Sequence, residues 1–193
     1  HSGGVHMSSV RLLASCFAMA VFSGCSTLAP PPYSADYQIL DQLKKQPLEK
    51  VAVATFQPRN PDAPVNKISL RAANLAGPKG TFAQYLEDAL IQDLKEIAVF
   101  DTAAGTRIDA TILKNDIDVS GFSTGTGRMD VELTVTRNAK TSLKKTYSAS
   151  TTFDSSFAGA VAIPKGQSEY GNLVRTLLGK VYADPQFINA LKR

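Results

Sequence analysis

The chain has 193 residues, 44% of them hydrophobic and 20% charged, proportions that suit one globular domain with an appendage and exclude a disordered chain or a coiled coil. Its formal charge is +4, from 21 Lys and Arg against 17 Asp and Glu, and no run of five or more like charges occurs. A nucleic-acid footprint, with clustered basic residues and interleaved aromatics, is thereby excluded, and a solvated surface is left.

The first predicted element is a signal peptide. After Met7 come Arg11, an apolar run from Leu12 to Phe22, the small residues Ser23 and Gly24, and then Cys25. Eleven apolar residues would span only about 16 Å as a helix, half of a ~30 Å hydrocarbon core, so a transmembrane anchor is excluded. The ending Phe22-Ser23-Gly24-Cys25 resembles the bacterial lipobox, with Phe22 where Leu is usual. The resemblance implies that the Cys25 thiol is acylated, that palmitate enters the protein there, and that the chain is cut in front of it. Cys16, the other cysteine, lies in the segment that would be removed, so no disulfide survives processing. Ser26 follows Cys25 where an aspartate would resemble the inner-membrane retention signal. The implied location is therefore the periplasmic face of the outer membrane, with a multiply acylated cysteine holding far more firmly than one chain. Residues 1–24 are read as leader and signal peptide, 25–49 as lipidated Cys25 plus a proline-rich tether, and 50–193 as a single α+β periplasmic domain.

In the tether, Pro30-Pro31-Pro32 favours an extended conformation with little to bury. The 24 residues from Ser26 to Glu49 would reach about 80 Å at ~3.3 Å each, less if "YQILDQLKKQ" forms a short helix. "KVAVATF" (50–56) reads as a strand, the following prolines as a loop, "KISLR" as a short edge strand and "RAANLAGPKG" as a flexible loop. Thr81 and Gln84 fit a capping box, and Phe82, Leu86, Ala89, Leu90, Leu94 and Ile97 share one helical face, which predicts a helix over 81–96. "RIDATILKNDIDVSGF" contains two β-like stretches. "RMDVELTVT" alternates without a fault, "RNAK" turns, and "SLKKTYSASTTF" returns, giving an antiparallel meander with one buried face. Tyr170, Leu173, Val174, Leu177, Leu178 and Val181 form a second helical stripe, and Asp184-Pro185 opens a short C-terminal helix. The expected fold class is α+β: a mainly antiparallel sheet with two main helices packed on one face, plus the short terminal helix.

Several chemistries are excluded or set aside. Both histidines, His1 and His6, precede Cys25, so the mature chain has no Ser-His-Asp or Cys-His catalysis and no histidine-based zinc site. Gly125-Thr126-Gly127 lacks the third glycine of a dinucleotide motif and leads into a strand, so it reads as a hairpin turn. "GPKG" with Lys79 reads as a plain loop before the helix, although its N–H groups suit an anion. Asp116 and Asp118 share one strand face, with Asp109 and Glu132 as candidate neighbours, a set that would suit a polysaccharide hydrolase. The polar face of an amphipathic strand predicts the same residues, and that reading is preferred. No cofactor, metal or catalytic residue is expected.

Between the last strand and the long helix, "SSFAGAVAIP" places Phe157, Val161 and Ile163 among Ala and Gly, with Pro164 closing the segment. Either these side chains cap the core, or they form an exposed contact for a partner or a second copy. The lipobox, "KKTYSAS", "SSFAGAVAI", "EYGNLVRTLLGKVYAD" and "DPQFINAL" together resemble the YajG-type family of small proteobacterial outer-membrane lipoproteins, most clearly over Lys144 to Leu191. The layout also looks broadly like transporter-associated auxiliary lipoproteins. The resemblance implies an outer-membrane lipoprotein without transferable catalytic residues. The expected role is a non-enzymatic binding, scaffold or transport-accessory component that meets the membrane through Cys25 and an envelope protein as partner, with homo-oligomers as an open option. The alternative is a carboxylate-dependent hydrolase of cell-wall or surface polysaccharide.

Overall fold

The computed structural model describes residues 26–193 and, before them, Gly3; Cys25 and the signal peptide lie outside the described residues. The longest elements arise where periodicity is strongest. β5 (Thr106–Asp118), β6 (Thr124–Arg137) and β7 (Lys140–Asp154) form the antiparallel meander, with Met129, Val131, Leu133 and Val135 buried on one face. β2 (Val51–Val53) adds to β5 in parallel, Val51 opposite Thr106, so the sheet order is β2-β5-β6-β7. The two β-like stretches expected in 107–122 are one strand. A bulge between Ile112 and Lys114 breaks its alternation, and that break makes it read as two.

α2 (Phe82–Glu96) starts where expected, with Thr81 Oγ1 accepting from the Gln84 N–H at 3.2 Å. α3 (Gly159–Ala183) crosses the meander, and Asp184 caps α4 (Pro185–Leu191) with Pro185 in its first turn. Pro164 does not close the segment before α3 but lies inside it. It lacks the N–H that would pair with the carbonyl of Ala160, four residues back, and Ala160 is an exposed residue of the helix's first turn. Phe82 and Tyr170, with ring centroids 4.6 Å apart, and Tyr85, 5.3 Å from Tyr170, join α2 to α3 at the centre of the core. Among the described residues, nothing covers the outer face of the four-stranded sheet.

Two expectations are corrected. "RAANLAGPKG" is not a flexible loop: it holds β4 (Ala73–Leu75), paired with β3 (Ile68–Leu70), and a 3-10 turn at Pro78–Gly80. Three residues are too few to show a period, and burial of Ala73 and Leu75 makes the strand. The tether over 26–49 is likewise folded onto the domain. β1 (Ser26–Leu28) pairs in parallel with β4, the prolines follow α3, and α1 (Tyr37–Lys44) buries Leu40 and Leu43. Prolines leave a strap's carbonyls free, and side chains of α2 and α3 take them.

Candidate functional site

Carboxylates are the chain's nearest approach to chemistry, and their placement on the sheet decides what they can do. Asp109 and Asp116 are seven positions apart and would alternate to opposite faces. The bulge resets the parity, and both are exposed on the outer face. They are not brought together, since at about 3.3 Å per residue they lie roughly 20 Å apart. Glu132 stands opposite Thr111 and meets Lys144 at 3.8 Å. Only Asp116 and Asp118 share a hollow, with Lys67, Ser69, Arg71 and Ser120. Asp118 Oδ1 accepts from the Ser120 hydroxyl at 2.6 Å and its N–H at 2.8 Å, which hold this carboxyl below the usual range. Lost hydration and then the charge of Asp118 push Asp116 upward. The opposed shifts suit an acid and a base. Among the described residues, no group of three or more His, Cys, Asp or Glu converges as a metal site.

A second titratable cluster is buried. Asp93 on α2 receives at Oδ2 the hydroxyls of Tyr33, 2.8 Å, and Tyr182, 2.6 Å. Burial is the main cause of its raised pKa, against which the two tyrosine donors act. Tyr182 is pushed up by burial and then by the charge of Asp93. Asp93 and Tyr182 are buried, and the cluster ties the strap to α2 and α3.

The strap encloses an apolar cleft of about 320 Å³ against α2, lined by Pro30, Pro31, Tyr33, Pro78, Tyr85 and Ala89. Its walls are fixed by bonds to strap carbonyls. The Tyr85 hydroxyl donates to Pro31 O at 2.8 Å and Gln92 to Tyr33 O at 3.4 Å, while on the α3 side Gln167 donates to Ala29 O at 2.7 Å and Arg175 to Ser34 O at 2.8 Å. Asp88 and Gln92 supply polarity at the α2 wall.

Phe157 and Val161, two of the three residues singled out in "SSFAGAVAIP", are 73% and 56% exposed, while Ile163 packs partly against the core. The structure joins to them a residue the sequence reading passed over, Phe122, 85% exposed in the β5–β6 turn. One side chain holds these two loops. Arg71, in the two-residue turn between β3 and β4, donates from Nε to Val119 O at 2.9 Å, from Nη2 to Ser156 O at 2.6 Å and Gly121 O at 3.3 Å, and from Nη1 to Phe157 O. Its φ of 56° is left-handed, a cost of order 1 kcal/mol that the four bonds offset. A lone Phe among turn residues in "GFSTGTG" is a signal that would have found Phe122. Nothing local marks Arg71 or Asp93.

No family model matches the sequence, and no curated protein matches it. Among solved structures, a Xanthomonas campestris protein of the family DUF330 is similar over 81% of this chain and 95% of that one, with 11% identity and a TM-score of 0.53. That likeness shows a shared fold. A Caulobacter crescentus protein described as a candidate lipoprotein aligns over 79% of this chain and 96% of that one, at 12% identity and a TM-score of 0.47. A hypothetical protein of Chlamydia trachomatis aligns over 74% and 99%, at 11% identity and a TM-score of 0.47. The last two are too distant to carry an argument.

Proposed function

We propose that the chain is a lipoprotein of the outer membrane's periplasmic face, anchored through Cys25, that acts as a non-enzymatic binding, scaffold or transport-accessory component of the envelope. The YajG-type resemblance belongs to this proposal. The observation that carries the binding reading is the cleft beneath the strap: it is concave and apolar, and its walls are joined by bonds from α2 side chains to strap carbonyls. Its occupant would be an apolar group of an envelope partner. A photo-crosslinking residue at Gln92, at the cleft, should capture one reproducible envelope partner in living cells, while the same residue at Thr111, on the outer sheet face, should not. Equal products, or none, would sink the binding reading. The anchor is tested by labelling with palmitate, which should enter the wild type and not Cys25→Ser.

The second reading, a carboxylate-dependent hydrolase, rests on the hollow that Asp116 and Asp118 share with Lys67, Arg71 and Ser120, where the two carboxyls are shifted in opposite directions. Under the binding proposal, Asp116→Asn with Asp118→Asn should complement a deletion strain fully. A folded double variant that behaves as a null would favour the hydrolase.

A further inference from the structure

The strap runs beside α3 in a readable register. Gln167 meets Ala29, a methyl on Gly171 would lie 3.8 Å from Pro31, Arg175 meets Ser34, and a methyl on Gly179 would lie 3.1 Å from Ile39. Chain and helix therefore advance in the same direction, and residues 26–28 lie beside the first turns of α3. Strand pairing gives the same placement independently. Ser26 stands opposite Ala73 in a parallel pair, so β1 begins at the end of β4 that the Arg71 turn closes. Ser26, which follows Cys25 in the sequence, consequently lies at the end of the molecule that carries Arg71, Phe122, Phe157 and Val161.

From this placement we infer that the end bearing Phe122 and Phe157 rests on the lipid surface, so that the domain sits directly on the bilayer in a fixed orientation instead of hanging from a tether. The inference rests on the proposed acylation of Cys25. An acyl chain at that position brings the bilayer surface to the exposed apolar tips, whose contiguous burial in the headgroup boundary adds to the anchor. The loop carbonyls at Val119, Gly121, Ser156 and Phe157 are already bonded to Arg71. Entry into the interface therefore does not strand them without partners. α3 then points away from the membrane. The twenty residue-to-residue steps from Gly159 to Gly179 span about 30 Å at ~1.5 Å each, which carries α1 and its exposed Tyr37 well clear of the lipid.

The chain contains no tryptophan, so single substitutions report position without background. Phe122→Trp, Phe157→Trp and Tyr37→Trp are made in the full-length lipidated protein and reconstituted in phosphatidylcholine vesicles, with and without bromine on the acyl chains. Interfacial apolar groups sit roughly 5–10 Å into the headgroup boundary, so the indole probes at positions 122 and 157 should shift to the blue and lose about half their emission to bromine. The probe at 37 should do neither. Unquenched probes at 122 and 157 overturn the inference, as does a blue shift without quenching, which would mean that protein covers the tips. Equal quenching at 37 overturns the fixed orientation. Palmitate content of the same preparations separates the two readings: labelled protein with unquenched probes at 122 and 157 removes only the orientation, whereas unlabelled protein removes the anchor and the inference together.

Discussion

The strap over 29–39 and the link over 155–163 invert each other's appearance. The strap is rich in proline and reads as free chain, yet it is clamped along its length; the link is rich in apolar residues and reads equally well as core, yet Phe157 and Val161 project into solvent. Both are held the same way, by long side chains from distant elements that take their backbone carbonyls. What differs is the shape beneath them. The strap lies in a groove between α2 and α3 and turns Tyr33 and Ile39 inward, whereas the link rounds the sheet's end, where among the described residues nothing covers Phe157 and Val161. Proline content sets that a segment is extended, and apolar content that burial would be favourable; whether a surface is present to receive it is decided elsewhere in the chain.

The largest effect should mark the boundary of the link. Phe153, four residues before Phe157, is only 8% exposed and lies over Gly125, where its ring leaves no room for a methyl group on the opposite strand. Phe153→Ala should cost about 3–5 kcal/mol in denaturant melts, as truncation of a buried Phe does. A loss below about 1 kcal/mol would mean that the link's exposed character extends back into β7.

Next comes the strap. Asp93→Ala leaves the hydroxyls of Tyr33 and Tyr182 without their acceptor and should cost roughly 2–4 kcal/mol. Asp93→Asn keeps an acceptor and separates charge from bonding. Burial raises the folded pKa of Asp93 above its unfolded value. Between the two values the folded chain binds more protons than the unfolded one, so this group's contribution is fully present below the unfolded pKa and is lost as pH rises through the folded pKa. Unfolding midpoints measured across that window should fall with rising pH in the wild type more steeply than in Asp93→Asn. Parallel curves would show that the cluster carries no net proton linkage.

Third is the clamp on the link. Arg71→Ala frees four carbonyls that water can largely re-solvate, so about 1–2 kcal/mol is expected, well below the sum of four charged bonds. The more telling readout is amide exchange: Gly121 to Ser123 and Ser155 to Phe157 should lose protection together, because one guanidinium serves both loops. Independent behaviour of the two loops would break the idea of a single rigid end.

How much of this was legible follows the range of the interactions. The Thr81 cap, the alternation of Met129 to Val135 and the Asp184-Pro185 start are set by residues within a few positions, and the sequence shows them. The same holds for the exposed Asp116 and Asp118. The strap's bonds join residues such as Tyr33 and Asp93, 60 positions apart, or Ser34 and Arg175, 141 apart. No local pattern encodes such pairs. Arg71 reads as one more surface cation until the carbonyls around it are placed. The link was ambiguous for a related reason: its apolar residues satisfy neither a two-residue nor a 3.6-residue period, because α3 begins within it and carries Val161 outward and Ala162 inward.

The smallest effect is the one that separates the link from the core. Phe157 loses little water-accessible area on folding, the residue being 73% exposed, and its backbone carbonyl keeps the bond from Arg71 whatever the side chain. Phe157→Ala should therefore shift the unfolding free energy by less than about 1 kcal/mol. Stability in solution is then silent, and any larger consequence has to arise where the tip touches something. If the end rests on lipid, the same substitution weakens retention on vesicles while the melt stays put, and Phe122→Ala with Phe157→Ala weakens it further. A loss near that of Phe153→Ala would instead mean that Phe157 folds back on the core in solution, and the contrast between strap and link would disappear with it.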